Sequence, residues 1–429
     1  MRSPRTEPRP REEPPWRPDD TPRAGRLTGR VTADVAVVGA GLTGLTTAYR
    51  LLTRAPGLDL VLVDAGRPGA GASGRGTGLL GPRVGPPVDV ARRRFGDETA
   101  RRAYEASVGW VRQTVQLAGE LGADCGLVPA GQLVVAGSPR AAAVLTRRAA
   151  AYRALGLDPE LLPDPGGFHA ALRFPVAATL DPAALTAALA AEVTRRGARR
   201  YDRSPVRSLR PGELTFPSGT LRARRVVLAV NGFARSLRLP VGTVAPLEVR
   251  AVATAPLPPA LRARLGAEPV IDVTPLGPYY RLTPDGRLIM GGGPADCPPP
   301  SRPARRERAW DWLAGRLPPD VEITHRWSGR IGMTGDDLPV VGRIAPDTWF
   351  AGGCCGHGLA LSVATGAYLA DALTGHAPPP ADGGPPPPLP WHRARGPWLP
   401  TGGAARPALG AYLRLLAHRA GRDGIRCAG

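Results

Sequence analysis

Apolar residues along the chain fall into two patterns: short uninterrupted runs bounded by glycine, and longer stretches with helical spacing. From Ala33 the order is strand, turn, helix, strand. Val35-Ala36-Val37-Val38 precedes a glycine turn, Leu42 to Leu52 repeats with helical period, and Leu60-Val61-Leu62-Val63 is apolar throughout. Two such strands flanking one helix predict a βαβ unit with a buried parallel pair. Helical segments are expected around Glu98–Leu121 and Arg140–Leu155, with a strand at Gln132-Leu133-Val134-Val135 between them. Asp181-Pro182 supplies an N-cap and a first helical residue, so a helix starts there and runs to Arg196. Arg225 to Val230 reads as another buried strand ending at Asn231-Gly232. Residues 245–293 are β-rich, with strands at Val249–Ala253, Tyr279–Leu282 and Leu288–Met290 around turns such as Pro284-Asp285-Gly286. Trp349 to Gly353 leads into a last long helix, Gly358 to Leu373.

The ends of the chain break this pattern. Residues 1–30 are rich in Pro and Arg and poor in apolar side chains, so they cannot offset chain entropy by burial and are expected as an irregular arm on which Trp16 alone can dock. Pro378 to Pro390 reads as a linker and Leu409–Ala417 as a basic amphipathic tail helix. No internal repeat is visible.

Composition changes the picture in two places. At 429 residues with 43% hydrophobic and 21% charged positions, the chain suits a soluble enzyme of two or three domains, and no apolar run reaches the length of a membrane span. The net charge of +20 would normally suggest nucleic acid or an anionic membrane. Every one of the 56 basic residues is arginine, however, and part of the excess sits in residues 1–30 and 393–429. Together with abundant Ala, Gly and Pro this reads as compositional bias, and without a nucleic-acid-binding pattern no nucleic-acid partner is expected. Cys125, Cys297, Cys354, Cys355 and Cys427 lack CxxC spacing, which argues against a disulfide framework and against a metal site. The N-terminus lacks an apolar signal core, so the expected location is the cytoplasm.

The chemistry centres on Gly39-Ala40-Gly41-Leu42-Thr43-Gly44, between a strand and a helix. Gly39 permits a tight turn, Gly41 lets backbone N–H groups approach a pyrophosphate, and Gly44 lets the helix pack on the strand. The helix N-terminus favours phosphate. Asp64, closing the second strand, can accept hydrogen bonds from ribose hydroxyls and would repel a 2′-phosphate, which disfavours NADP. Motif position alone leaves FAD and NAD open.

A series of ordered motifs resembles the D-amino-acid-oxidase-like superfamily of FAD-dependent oxidoreductases, in particular its gamma-glutamylputrescine-oxidase-like branch, with glycine and sarcosine oxidases as more distant relatives. It comprises Leu27-Thr28-Gly29, the glycine turn, Gly71-Ala72-Ser73-Gly74-Arg75, Val226 to Phe233, Tyr279 to Arg287, Trp327 to Thr334, Leu338 to Gly342, and Ala351 to Gly358. The resemblance implies an α/β fold, with a Rossmann-like FAD-binding domain (residues 31–90, 176–239 and 327–376) interleaved with an α+β substrate domain on a mostly antiparallel sheet (91–175 and 240–326). It implies FAD contacts at Gly39, Gly41, Leu42, Thr43, Gly44 and Asp64, at Ala72, Ser73 and Arg75, at Val206 and Asn231, and at Gly353, Gly356, His357, Gly358 and Leu359. The N-terminus of the helix at Gly358 would face the pyrimidine side of the flavin.

Departures from relatives shape the functional expectation. The cysteine that carries flavin in sarcosine oxidases is missing at Ser328-Gly329-Arg330, which favours noncovalent FAD, although Cys354 and Cys355 lie beside a flavin motif. The lysine that promotes reaction with oxygen falls on Ile289, and the arginine that pairs with a substrate carboxylate falls on Ile331, one residue from Arg330. Arg330, His357, Tyr280 and Arg250 are the candidate catalytic residues, with Tyr279 a further pocket-lining candidate. The expected activity is oxidation of the C–N bond of a small-molecule amine or amino-acid-like substrate, by hydride transfer to the flavin, with oxygen or another electron acceptor. The alternatives are a dehydrogenase that docks a partner through its Arg414–Arg426 tail, and a basic interaction protein with a vestigial nucleotide site.

Overall fold

The structure, a computed structural model, describes residues 10–16, 23–157, 159–163, 165–237, 239, 244–274, 277–294, 318 and 321–375. The linker at 378–390, the tail helix at 409–417, the basic tail at 414–426, Cys297 and Cys427 lie outside the described residues.

Two eight-stranded sheets organise the molecule. In the first, six strands run in the order Val340–Ala345, Thr348–Gly352, Gly219–Leu228, Gly29–Val38, Leu60–Val63 and Arg199–Tyr201, and two more, Glu213–Phe216 and Ser208–Arg210, branch from Gly219–Leu228. The pairings from Thr348–Gly352 through Arg199–Tyr201 are parallel. All four residues of Leu60–Val63 are buried, as expected of a strand covered on both faces. Alternation on the neighbouring strand divides two cores. Val35 and Val37 pack with Leu45, Leu189 and Leu369 from three helices, whereas Ala36 and Val38 pack on the opposite face with Phe216, Leu221 and Phe350.

The second sheet runs Ile323–Met333, Ala245–Pro256, Arg287–Pro294, Tyr279–Leu282, Val270–Asp272, Gln132–Ala136, Ala170–Phe174 and Glu160–Pro163. Its pairings are antiparallel except that of Val270–Asp272 with Gln132–Ala136. The architecture is therefore the expected one, but the expected division shifts at two points. Residues 327–333 belong to the second sheet, because Ala245–Met333 through Ala251–Trp327 pair in register. The helix Asp97–Glu120, expected in the substrate domain, buries Trp110 and Leu117 in the core that holds Leu45 and Leu189.

The N-terminal arm is not wholly irregular. Arg11 accepts a backbone hydrogen bond from Arg326 at 2.8 Å and donates one to Thr324 at 2.9 Å, extending the edge of the second sheet. Trp16 docks, meeting Trp327 edge-on at 6.3 Å between ring centroids.

Two helices converge at one end of the first sheet. Leu42–Arg54 packs on Gly358–Thr374 so closely that a methyl group on Gly366 would lie 2.8 Å from the Thr43 carbonyl oxygen. This contact sets both helix N-termini on one cavity, lined by Gly41 and Leu42 from the first and by Gly358 and Leu359 from the second. Among the described residues no helix is long and apolar enough to cross a membrane.

Candidate active site

The cavity has a volume of about 1490 Å³ and is lined from both sheets. Pockets for a single drug-sized ligand span about 300–1,000 Å³, so this one has room for a dinucleotide and a second molecule.

The glycine turn is shaped by contacts that no side chain would permit. Gly39 has φ of +107°, and a methyl group on it would come 2.5 Å from the Ala229 carbonyl oxygen. On Gly44 the methyl would lie 1.9 Å from the Gly39 carbonyl oxygen, so this residue serves helix-to-strand packing and does not line the cavity. On Gly41 it would meet only the Ser73 hydroxyl, at 2.9 Å, and would intrude on the space in front of the turn. Leu42 N–H donates to that same hydroxyl at 2.9 Å, while the helix has no side-chain cap, so other N–H groups of its first turn remain for an anion. Thr43 and Ala72 stand beside them in the lining.

Asp64 accepts from Ala40 N–H at 2.7 Å through Oδ2 and from Gly66 N–H at 2.6 Å through Oδ1. Burial raises its pKa despite these bonds. The carboxylate thus braces the turn, and each oxygen keeps a lone pair for a ribose hydroxyl. Val206 lines the same end of the cavity with Ser204, whose N–H donates to the Asp64 carbonyl at 2.7 Å.

Asn231, with φ of +40°, ties the first sheet to the turn before the last helix. Its Oδ1 accepts from Gly353 N–H at 2.9 Å and its Nδ2 donates to Cys354 Sγ at 3.3 Å. Gly353, with φ of +75°, shapes this turn from behind the lining. Gly356, His357, Gly358 and Leu359 follow along the cavity wall. His357 N–H donates to the Cys354 carbonyl at 2.9 Å, its side chain makes no capping bond, and the helix therefore presents free N–H groups. Burial, reinforced by the positive charge of Arg83, holds the His357 imidazole well below its usual pKa, and it is neutral at physiological pH. Cys355 also contributes to the lining, but its side chain is buried and its thiol is pushed up to about 12 by that burial.

The second sheet supplies the facing wall. Arg250 and Arg330 are exposed to the cavity, Arg330 lying over the Phe233 ring at 5.0 Å, with Ile331 beside it. Tyr279 also lines it, with Thr77 close to its hydroxyl. Tyr280 does not. Neighbouring strand residues face opposite ways, and Tyr280 packs with Val252, Leu261 and Met290 while its hydroxyl donates to the Leu265 carbonyl at 3.3 Å. The candidate catalytic role for Tyr280 is thereby corrected. Ile289 is fully buried with Ala251, Ala253 and Trp327, beneath the wall rather than on it. Arg75 lines the junction of the two walls, where its Nε donates to the Ser328 carbonyl.

Sequence reasoning did not single out Gln132, Arg83, Asp89 or Arg148 as site residues; they line the cavity from a strand, a loop and two helices. No motif marks them, since their proximity arises only when the helices Val88–Phe95 and Pro139–Arg153 pack together. Among the described residues no cluster of His, Cys, Asp and Glu could hold a metal ion.

A cradle closed to side chains at Gly41, two uncapped helix N-termini and a braced carboxylate at Asp64 together fit an extended dinucleotide. The chain matches the family described as FAD dependent oxidoreductase (DAO) over residues 34–372. It is 30% identical over 367 residues to a probable oxidoreductase OrdL of Rhizobium meliloti, a match covering 81% of this chain and 85% of that protein. It is 28% identical over 378 residues to gamma-glutamylputrescine oxidoreductase of Escherichia coli, covering 82% and 86%. The crystal structure of glycine oxidase from Geobacillus kaustophilus superposes with a TM-score of 0.66 at 25% identity, covering 80% of this chain and 95% of that one.

Proposed function

The chain belongs to the DAO family of FAD-dependent oxidoreductases, and on that premise we propose that it oxidises the C–N bond of an amine or amino-acid-like substrate, with dioxygen as acceptor. The observation that carries this reading is the continuity of one cavity from the glycine turn at Gly39–Thr43 to the second-sheet wall of Tyr279, Arg250 and Arg330. A second molecule can thus meet the cofactor away from its nucleotide end. The names of the relatives support an amine: one acts on gamma-glutamylputrescine and another on glycine.

FAD, when bound, supplies the hydride acceptor; the imine released is hydrolysed by water. The protein's part is positioning and electrostatics. Thr43 N–H and its free neighbours in the first turn would hold the diphosphate, Asp64 the ribose, and Val206 the adenine. The N–H groups at Gly358 and Leu359 would balance negative charge on the pyrimidine side of the ring, a preorganised donor set of the oxyanion-hole kind. Arg250 and Arg330 disfavour an ammonium ion in the cavity, so the substrate binds as the free amine whose lone pair assists hydride departure. A neutral His357 adds no further cation there.

The flavin is held noncovalently in this reading. The Ser328-Gly329-Arg330 strand offers no thiol, Cys355 is buried as a thiol, and Cys354 is engaged by Asn231. One observation favours a second reading for the acceptor: the chain has no lysine, and the corresponding position is the buried Ile289. A dehydrogenase passing electrons to another acceptor would have that feature.

The test is spectroscopic. Purified protein should carry flavin bands that an amine bleaches under anaerobic conditions; protein that cannot be loaded with FAD would sink the proposal. Oxygen uptake compared with dye reduction on the same substrate decides the acceptor.

A further inference from the structure

Cations cluster on one part of the cavity lining. Arg83 stands there on the loop after Gly81, Arg93 on the helix Val88–Phe95, and Arg147 and Arg148 on the helix Pro139–Arg153, with one carboxylate, Asp89. Asp89 is shared and poorly matched. Its Oδ1 is 3.4 Å from Arg148 Nε and its Oδ2 is 3.8 Å from Arg93, both longer than the 2.7–2.9 Å of a charge-assisted hydrogen bond. Arg148 Nε and Asp89 Oδ1 are shut off from solvent, yet neither has a hydrogen-bond partner. The Arg148 side chain retains 13% of its exposure, and its Nη1 reaches only the Val273 carbonyl, at 3.3 Å.

Arg83 adds to the imbalance. Among the described residues it forms no hydrogen bond or ion pair, yet it is near enough to disfavour the charge on Arg148 and on His357. The Arg148 guanidinium, largely shielded from water beside a misaligned carboxylate and near a second, exposed cation at Arg83, carries a positive charge that costs free energy until an anion answers it. The diphosphate of a dinucleotide has its own seat at the glycine turn on the first sheet, so these arginines are left for another ligand.

We propose that Arg83 and Arg148 form an anion subsite that takes a carboxylate at the end of the amine substrate remote from the reacting carbon. The identity of the bound molecule as an amine rests on the oxidation reading above; the binding of the anion does not. The planar fork of Arg148, with Nε unbonded, can meet a carboxylate edge-on, and Arg83 can close on it from the loop. Because Ile331 offers no charge on the second-sheet wall, the anchor is displaced to this more distant one, which selects a longer molecule with its amine and acid at opposite ends.

The test uses full-length, FAD-loaded protein and two inert probes of equal length, glutarate and glutaramide, with binding followed by calorimetry and by perturbation of the flavin spectrum. Glutarate should bind at least about tenfold more tightly, the order expected for charge-assisted hydrogen bonds. Arg83→Gln should remove most of that preference, and Arg148→Lys, which keeps the charge without the fork, should weaken it. Arg222→Gln, which alters an exposed arginine paired with Glu213 on the first sheet, controls for net charge and should leave it intact. Equal binding of the two probes overturns the subsite, as does a loss in Arg83→Gln no larger than in Arg222→Gln. The oxidation reading is tested separately by 5-aminopentanoate and pentylamine. If glutarate binds through Arg83 but no amine bleaches the flavin, oxidation fails and the subsite stands. If amines bleach the flavin regardless of terminal charge, oxidation stands and the subsite falls.

Discussion

Trp327 donates its indole N–H to the Arg75 carbonyl at 2.9 Å, while Arg75 Nε donates to the carbonyl of Ser328, the residue after Trp327. Arg75 ends the short helix beside the glycine turn, and Trp327 lies on a strand of the second sheet. The two walls of the cavity are therefore clamped to each other at the cofactor.

Loss of the clamp should be read in cofactor affinity. Trp327→Phe removes one part-buried hydrogen bond, which contributes about 1 kcal/mol, so the dissociation constant for FAD should rise about fivefold. Arg75→Ala, which removes the side-chain half, should act in the same direction. Flavin fluorescence titration of apoprotein measures both; unchanged affinity would refute the clamp.

Two glycines of the same turn should fail in different ways. Gly44→Ala drives a methyl group into the Gly39 carbonyl, and the helix must move, with a loss of about 2 kcal/mol or more in stability. Gly41→Val leaves the backbone in place and fills the cradle, so the apoprotein should fold with near-normal thermal stability and fail to retain FAD. Circular dichroism melts set against flavin content separate the two outcomes.

His357 gives stability a pH dependence of known sign. Its imidazole is held well below the usual range when folded, whereas the unfolded chain takes up a proton near pH 6.5. Below that pH the unfolded state binds more protons, so stability falls as pH falls, by up to about 1.4 kcal/mol per pH unit for this one group. His357→Gln should flatten the profile between pH 7 and pH 5. Melting temperatures of both proteins across that range provide the measurement, and parallel curves would remove His357 as the cause.

The cysteines near the flavin motif should differ in reactivity. Cys355 stays a buried thiol at pH 8, since its pKa is pushed up to about 12, and Cys125 is buried as well. Cys354 is only partly buried and lines the cavity. In flavin-free protein, iodoacetamide followed by peptide mass mapping should modify Cys354 well before the other two. Acid precipitation of loaded protein should release all flavin into the supernatant; flavin retained on a Cys354 or Cys355 peptide would show covalent attachment.

How far these features were legible in the sequence depends on whether local pattern or tertiary register controls them. The βαβ unit was legible because an apolar run such as Leu60–Val63 has few ways to be buried, and a glycine turn between strand and helix has few conformations. The cap at Asp181 likewise follows from local chemistry, and its Oδ1 accepts from Ala183 and Ala184 N–H as expected. By contrast, Tyr279 and Tyr280 are indistinguishable in sequence, because alternation says only that they face opposite ways. Pairing of Tyr279 with Ile271 and Gly291 decides which one meets the cavity.

The sequence by itself determined the family, the α/β architecture and the nucleotide-binding turn, all of which rest on ordered local motifs between residues 27 and 358. Tertiary structure alone decided what stands opposite that turn. It carried residues 327–333 into the second sheet, turned Tyr280 into a core, placed Ile289 beneath the wall, and gathered Arg83, Asp89 and Arg148 on one part of the cavity lining. The physical reason is range: a turn is specified by the residues that form it, whereas a pocket wall is specified by the packing of segments far apart in the chain, which no local spacing encodes.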